Sequence, residues 1–155
     1  MTIKIGLVGY DEKHIPDIIY LLEMADLKQR KTTDLSVPTF DFVKYPYPIG
    51  DDGADVSSKI KKDNPAYILV DPLYASASHS ENLAHDFDNY EKFLDNIGNL
   101  GTPLTVISLI SDESDRELTY PLKERNFHHI FLGNLPSEIY GLYKTILAAQ
   151  KPETS

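Results

Sequence analysis

A doubly wound α/β domain built on five parallel strands is the fold class the sequence predicts, and three observations predict it. Strand-length apolar runs alternate five times with helical patterns along the chain. The inner runs KIGLV, ILV and TVISLI are apolar on both faces, as strands covered by helices on both sides must be. Loop residues follow each run, which leaves room for the crossover that a parallel connection requires.

The first strand is expected over Ile3 to Val8, and Ile15, Ile18, Ile19, Leu22 and Ala25 then share one helical face. A second strand is expected over Thr39 to Tyr45. It lies in the compositionally odd stretch KTTDLSVPTFDFVKYPYPIGDDG, residues 31 to 53, where Pro46 and Pro48 cannot donate to a ladder, so an edge position is predicted. Val56 and Ile60 make a short helical stripe before the strand Tyr67 to Val70. Leu83, Phe87, Tyr90, Leu94 and Ile97 fall at steps of four, three, four and three residues, the clearest amphipathic helix of the chain. Leu104 to Ile110 is the fourth strand. Pro121 interrupts the next helical stretch, Ser114 to Arg125, and is read as its start. His129 to Leu132 is the fifth strand, and Ile139, Leu142, Ile146 and Leu147 form the last helix, with Ser137 as N-cap and Glu138 in its first turn.

At 155 residues and 41% hydrophobic the chain suits one domain, taken as residues 1–150 with a tail at 151–155. The net charge of −9 disfavours nucleic acid and anionic membrane as ligands. The absence of cysteine excludes disulfides, thiol nucleophiles and cysteine-held metals. The apolar run of MTIKIGLVGYDEKHI is too short for a secretory or spanning segment, so a cytoplasmic location is expected.

In open sheets of this kind the ligand site lies beyond the carboxyl ends of the central strands, where strand order reverses. Gly9 to Asp11, Asp71 to Tyr74 and Ser108 to Asp112 therefore carry the search for chemistry. The histidines 79, 85, 128 and 129 match no zinc spacing, and GLVGYD lacks the glycine and lysine of the nucleotide-binding loops. The acidic run SDESDRE and the face Glu81, Asp86, Asp88, Glu91 and Asp95 read as solvated surface or as a match for a basic partner.

The segment GADVSSKIKKDNPAYILVD, ending in Asp71, resembles the response-regulator receiver domain, in which a helix leads through a proline into a strand that ends in the phosphoacceptor aspartate. GTPLTVIS, residues 101 to 108, is similar to the fourth receiver strand with its terminal hydroxyl. HHIFLGN with LPSEIYGLYKTIL is similar to the fifth strand and last helix. The resemblance implies a flavodoxin-like, receiver-like three-layer sandwich with strand order 2-1-3-4-5, Asp71 as phosphoacceptor equivalent, and Ser108 and Asn134 as phosphate-contact equivalents.

Two family elements are missing. Gly9 and Tyr10 stand where the magnesium-holding acidic pair would end the first strand, and Asn134 stands where the family has an invariant lysine. Phosphoryl transfer depends on positioned cations, and losing one such contact costs about 2.7–4 kcal/mol, roughly 10²- to 10³-fold in rate. The expectation is a degenerate, or pseudo-, receiver: a non-enzymatic signalling domain, without cofactor, that acts through a protein partner or as a homodimer. Tyr140, Leu142 and Tyr143 are the expected interaction residues, near the face that receivers commonly use to dimerise.

Two alternatives stay open. In one, Asp11 joins Asp71 to hold magnesium and Asp71 is phosphorylated. In the other, GYDEKH, which faintly resembles the cobalamin-binding DxHxxG motif with its histidine one residue too late, belongs to a cobalamin or flavin binder. The plain reading of Asp71 is a strand-end residue that caps its loop, with Pro72 locking the turn. Similar pseudo-receivers precede ATPases in pilus-localisation proteins or DNA-binding output domains, so the chain is expected to be the N-terminal part of a longer protein.

Overall fold

Where the helix Ala54–Asp63 ends, Asn64 turns to the left-handed region with φ 50° and donates its backbone N–H to the Ile60 carbonyl at 2.8 Å. Pro65 then bars further helix, and the chain enters the strand Tyr67–Val70. Local devices of this kind deliver every strand to one sheet. A computed structural model of the chain describes residues 2–10, 12–29, 39–45, 53–71, 83–108 and 116–149; of residues 83–87, 89, 90 and 116–119 it describes the backbone alone.

In chain order the elements are β1 (Ile3–Val8), α1 (Ile15–Gln29), β2 (Phe40–Tyr45), α2 (Ala54–Asp63), β3 (Tyr67–Val70), α3 (Leu83–Gly98), β4 (Leu104–Ser108), α4 (Arg116–Glu124), β5 (His128–Phe131) and α5 (Leu135–Ala149). The strands form one parallel sheet of order β2-β1-β3-β4-β5, the doubly wound flavodoxin-like arrangement. β2 sits at an edge, as its flanking prolines require.

Alternate strand residues face opposite layers. Ile5, Leu7, Tyr67, Leu69, Ile107 and Ile130 pack against α1 and α5, whose Ile18, Leu22, Leu142 and Ile146 are fully covered. Val8, Ile68, Val70 and Val106 pack on the other side against Val56 and Ile60 of α2, Phe93, Leu94 and Ile97 of α3 and Leu122 of α4. Gly53, at φ 75° before α2, faces the Phe93 ring so closely that a Cβ would overlap it. Tyr45 closes β2 by donating its hydroxyl to Asp63 Oδ2 at 2.7 Å.

Several boundaries differ from expectation, and β2 begins at Phe40 rather than at Thr39. α4 starts at Arg116, so Pro121 lies inside it; Pro121 and Leu122 are both buried, and the Pro121 carbonyl accepts from the Arg125 backbone N–H at 3.3 Å and side chain at 3.1 Å. α5 starts at Leu135 because a 3₁₀ turn, Leu132–Asn134, runs straight into it and Leu135 is buried. Ser137 therefore lies within the first turn and donates to the Asn134 carbonyl at 2.8 Å, where an N-cap would accept from a backbone N–H. β5 begins one residue earlier than expected, and Leu132 belongs to the turn.

Candidate functional site

At the carboxyl edge, β1, β3 and β4 end beside one another. β1 leaves the sheet through Gly9, whose φ of 86° reverses the chain while its N–H still bonds the Tyr45 carbonyl at 3.1 Å. Tyr10 then turns back over the sheet. Its ring is buried with the α1 and α5 layer, and its hydroxyl donates to the Ile107 carbonyl of β4 at 3.0 Å. β3 lies between β1 and β4, so the phenol spans the end of β3.

That end is Asp71. Its backbone N–H extends the β1–β3 ladder to the Val8 carbonyl at 3.0 Å, and the residue is 0% exposed. Burial first, and the nearby Asp71 charge second, push the Tyr10 phenol well above its usual pKa. Tyr10 therefore stays a neutral donor. Ser108 is also fully buried, and its Oγ has no hydrogen-bond partner among the described residues. Asn134 is exposed in the 3₁₀ turn beyond β5, with its backbone carbonyl held by Ser137.

The fold thus brings Asp71, Ser108 and Asn134 to the same edge of the sheet. Asp11 lies outside the described residues, and with it the Asp11–Asp71 magnesium pair. Among the described residues no group of three metal-ligating side chains comes together. Magnesium keeps several waters in its octahedral shell, and Asp71 has no exposed surface at which to meet them. The described residues do not fit the ion.

The expected interaction residues need correction. Leu142 is 1% exposed and packs in the core, and Tyr143 is buried with its hydroxyl donating to Asp26 Oδ1 at 2.9 Å. Helix periodicity turns both inward, because they lie on the same face as Ile139 and Ile146. Tyr140 alone of the three is exposed. Sequence reasoning also missed Asp26 as a buried acceptor, although an acid on the stripe of Leu22 and Ala25 was the available signal.

The amino edge is different. Tyr67 hydroxyl and Thr105 Oγ1 bond at 2.7 Å, and Thr105 Oγ1 lies 3.3 Å from His128 Nδ1. Beside this chain opens a cleft of about 470 Å³, bordered by Thr102, Asn126, His128 and Thr145. It lies opposite the edge at which open α/β sheets bind ligands.

The fold is a flavodoxin-like α/β arrangement. No protein-family model matches the chain. No curated protein matches it either. Among solved structures it is similar to a pilus assembly-related protein from Burkholderia pseudomallei K96243, with TM-score 0.55, 13% identity, and coverage of 99% of this chain and 95% of that one. Identity this low carries the fold. No helix among the described residues is long and apolar enough to cross a membrane.

Proposed function

We propose that the chain is a pseudo-receiver: a cytoplasmic, non-enzymatic signalling domain that works through protein contacts and independently of phosphorylation. The observation that carries this reading is Tyr10, which bridges from β1 to the Ile107 carbonyl of β4 across a fully buried Asp71. A phosphoryl donor needs an in-line approach to the carboxylate and a cation beside it. Here a neutral phenol lies near enough to Asp71 to feel its charge, and Asn134 offers none. The pilus-assembly association of the B. pseudomallei protein extends to this chain as part of the proposal, on fold likeness alone. The partner is then a protein of such an assembly, neither nucleic acid nor membrane, in keeping with the net charge of −9.

One observation favours a second reading. Ser108 Oγ, without a partner among the described residues, is the hydroxyl that the receiver resemblance assigns to the phosphoryl group, and a buried hydroxyl left unsatisfied costs about 1–3 kcal/mol. Under that reading Asp71 is a live phosphoacceptor. Intact-protein mass spectrometry after incubation with acetyl phosphate and magnesium separates the two. The pseudo-receiver gives no adduct, whereas a phosphoryl adduct that disappears in Asp71→Asn overturns it.

A further inference from the structure

The outer surface of α1 and α5 carries apolar side chains that the core does not use. Tyr20 is 62% exposed and Leu27 43% on α1, and Tyr140 and Leu147 are each 37% exposed on α5. At 100° per residue, Tyr20, Glu23 and Leu27 fall within about 60° of one another, and so do Tyr140, Lys144 and Leu147. Each helix therefore bears an apolar pair seven residues apart with one exposed charge between its members, acidic on α1 and basic on α5. Neither Glu23 nor Lys144 forms an ion pair among the described residues.

The two ridges are neighbours. α1 and α5 cover the same face of the sheet, both run against the strand direction, and the Tyr143–Asp26 hydrogen bond fixes their register. It sets Leu27 level with Lys144 and Glu23 about one turn away, some 6 Å along the axis. That separation is within reach of a lysine side chain.

We infer that this face binds a second copy of the chain, in an isologous dimer whose two-fold axis runs along the α1–α5 groove. The inference rests on the protein-contact reading above and gives it a surface and a partner. Such an axis lays α1 of each copy on α5 of the other, so the surface meets itself. Tyr20 and Leu27 cover the partner's Tyr140 and Leu147, and Glu23 meets the partner's Lys144 twice. A surface of one charge would repel its copy; this one carries both signs in the order that symmetry needs. Two 15-residue helices, about 22 Å long and roughly 10 Å apart, present a footprint of about 400–450 Å². That is well under the ~800 Å² per partner of a standard interface, so the dimer is weak and concentration-dependent.

Sedimentation equilibrium over a concentration series tests this on the full chain. The wild type is expected to dimerise reversibly in the micromolar range. Glu23→Lys and Lys144→Glu should each weaken the dimer roughly tenfold, since each puts two like-charge pairs into the interface, and the double reversal should restore it. Leu27→Asp should abolish it. Tyr120→Asp, on the exposed face of α4, should leave it intact. All four positions are exposed, so the variants keep the fold, which circular dichroism checks. A wild type that stays monomeric at every concentration overturns the inference, as does a dimer lost with Tyr120→Asp and kept with Leu27→Asp. Neither result changes the acetyl phosphate outcome, which judges the pseudo-receiver reading by itself.

Discussion

The two ends of the sheet handle polar groups in opposite ways. At the carboxyl edge Tyr10, Asp71 and Ser108 are all buried, one hydroxyl bridges two strands, and another has no partner among the described residues. At the amino edge Tyr67 and Thr105 are equally buried yet satisfy one another, and the chain runs on to His128 beside an open cleft. Topology places ligands at the first edge, where the described polar side chains are buried; the cleft beside Thr105 and His128 lies at the other.

The contrast can be broken most forcefully at Tyr10. Tyr10→Ala removes a buried ring and leaves a void over Asp71, and urea denaturation should show a loss of about 3–5 kcal/mol. Thr105→Val at the amino edge keeps the shape but strands the Tyr67 hydroxyl, for an expected loss of about 1–3 kcal/mol in the same assay.

Alkali sharpens the comparison next. Burial raises the Tyr10 and Tyr67 phenols above 10.0, for Tyr10 with the Asp71 charge adding and for Tyr67 with the Thr105 bond opposing; burial and the Asp63 bond raise Tyr45. A raised native pKa means that the unfolded chain releases its proton first. The stability these neutral phenols contribute is complete below pH 10 and is lost as pH climbs toward the native values, by up to about 1.4 kcal/mol per pH unit for each group. Tyr10→Phe should flatten that fall, measured as the midpoint of urea unfolding at several alkaline pH values. The smallest effect is expected at Ser108: Ser108→Ala deletes an unsatisfied hydroxyl and should change stability by about 1 kcal/mol or less, in the stabilising direction.

The fold was legible because its signals are periodic. Strand runs apolar on both faces and the stripe Ile15, Ile18, Leu22 and Ala25 follow from geometry that repeats along the chain. Pro121 misled because proline is normally a helix opener, yet burial of Leu122 and the Arg125 bonds to the proline carbonyl hold it inside a helix. The site was legible only in part. Topology brought Asp71 and Ser108 together from residues 37 apart, but the role of Tyr10 depends on a side-chain direction after a left-handed glycine, which no periodicity encodes. Leu142 and Tyr143 were mistaken for surface because a resemblance named the region, whereas the helical period assigns the face.

β1 is the second strand of the sheet in space and the first in time. It pairs with β2 through Ile3 and Phe40, 37 residues apart, and with β3 through Ile5 and Tyr67, 62 apart. At a synthesis rate of about 5–20 residues per second, IKIGLV waits about 2–7 s for its first neighbour and about 3–12 s for its second. A strand apolar on both faces is adhesive throughout that interval. Lys4 is the one charge within it and lies early in the run, as residues that guard against misassociation do. Lys4→Val is expected to leave the purified domain folded while lowering its soluble yield during expression, a cost borne by the ribosome-bound chain before any native contact exists.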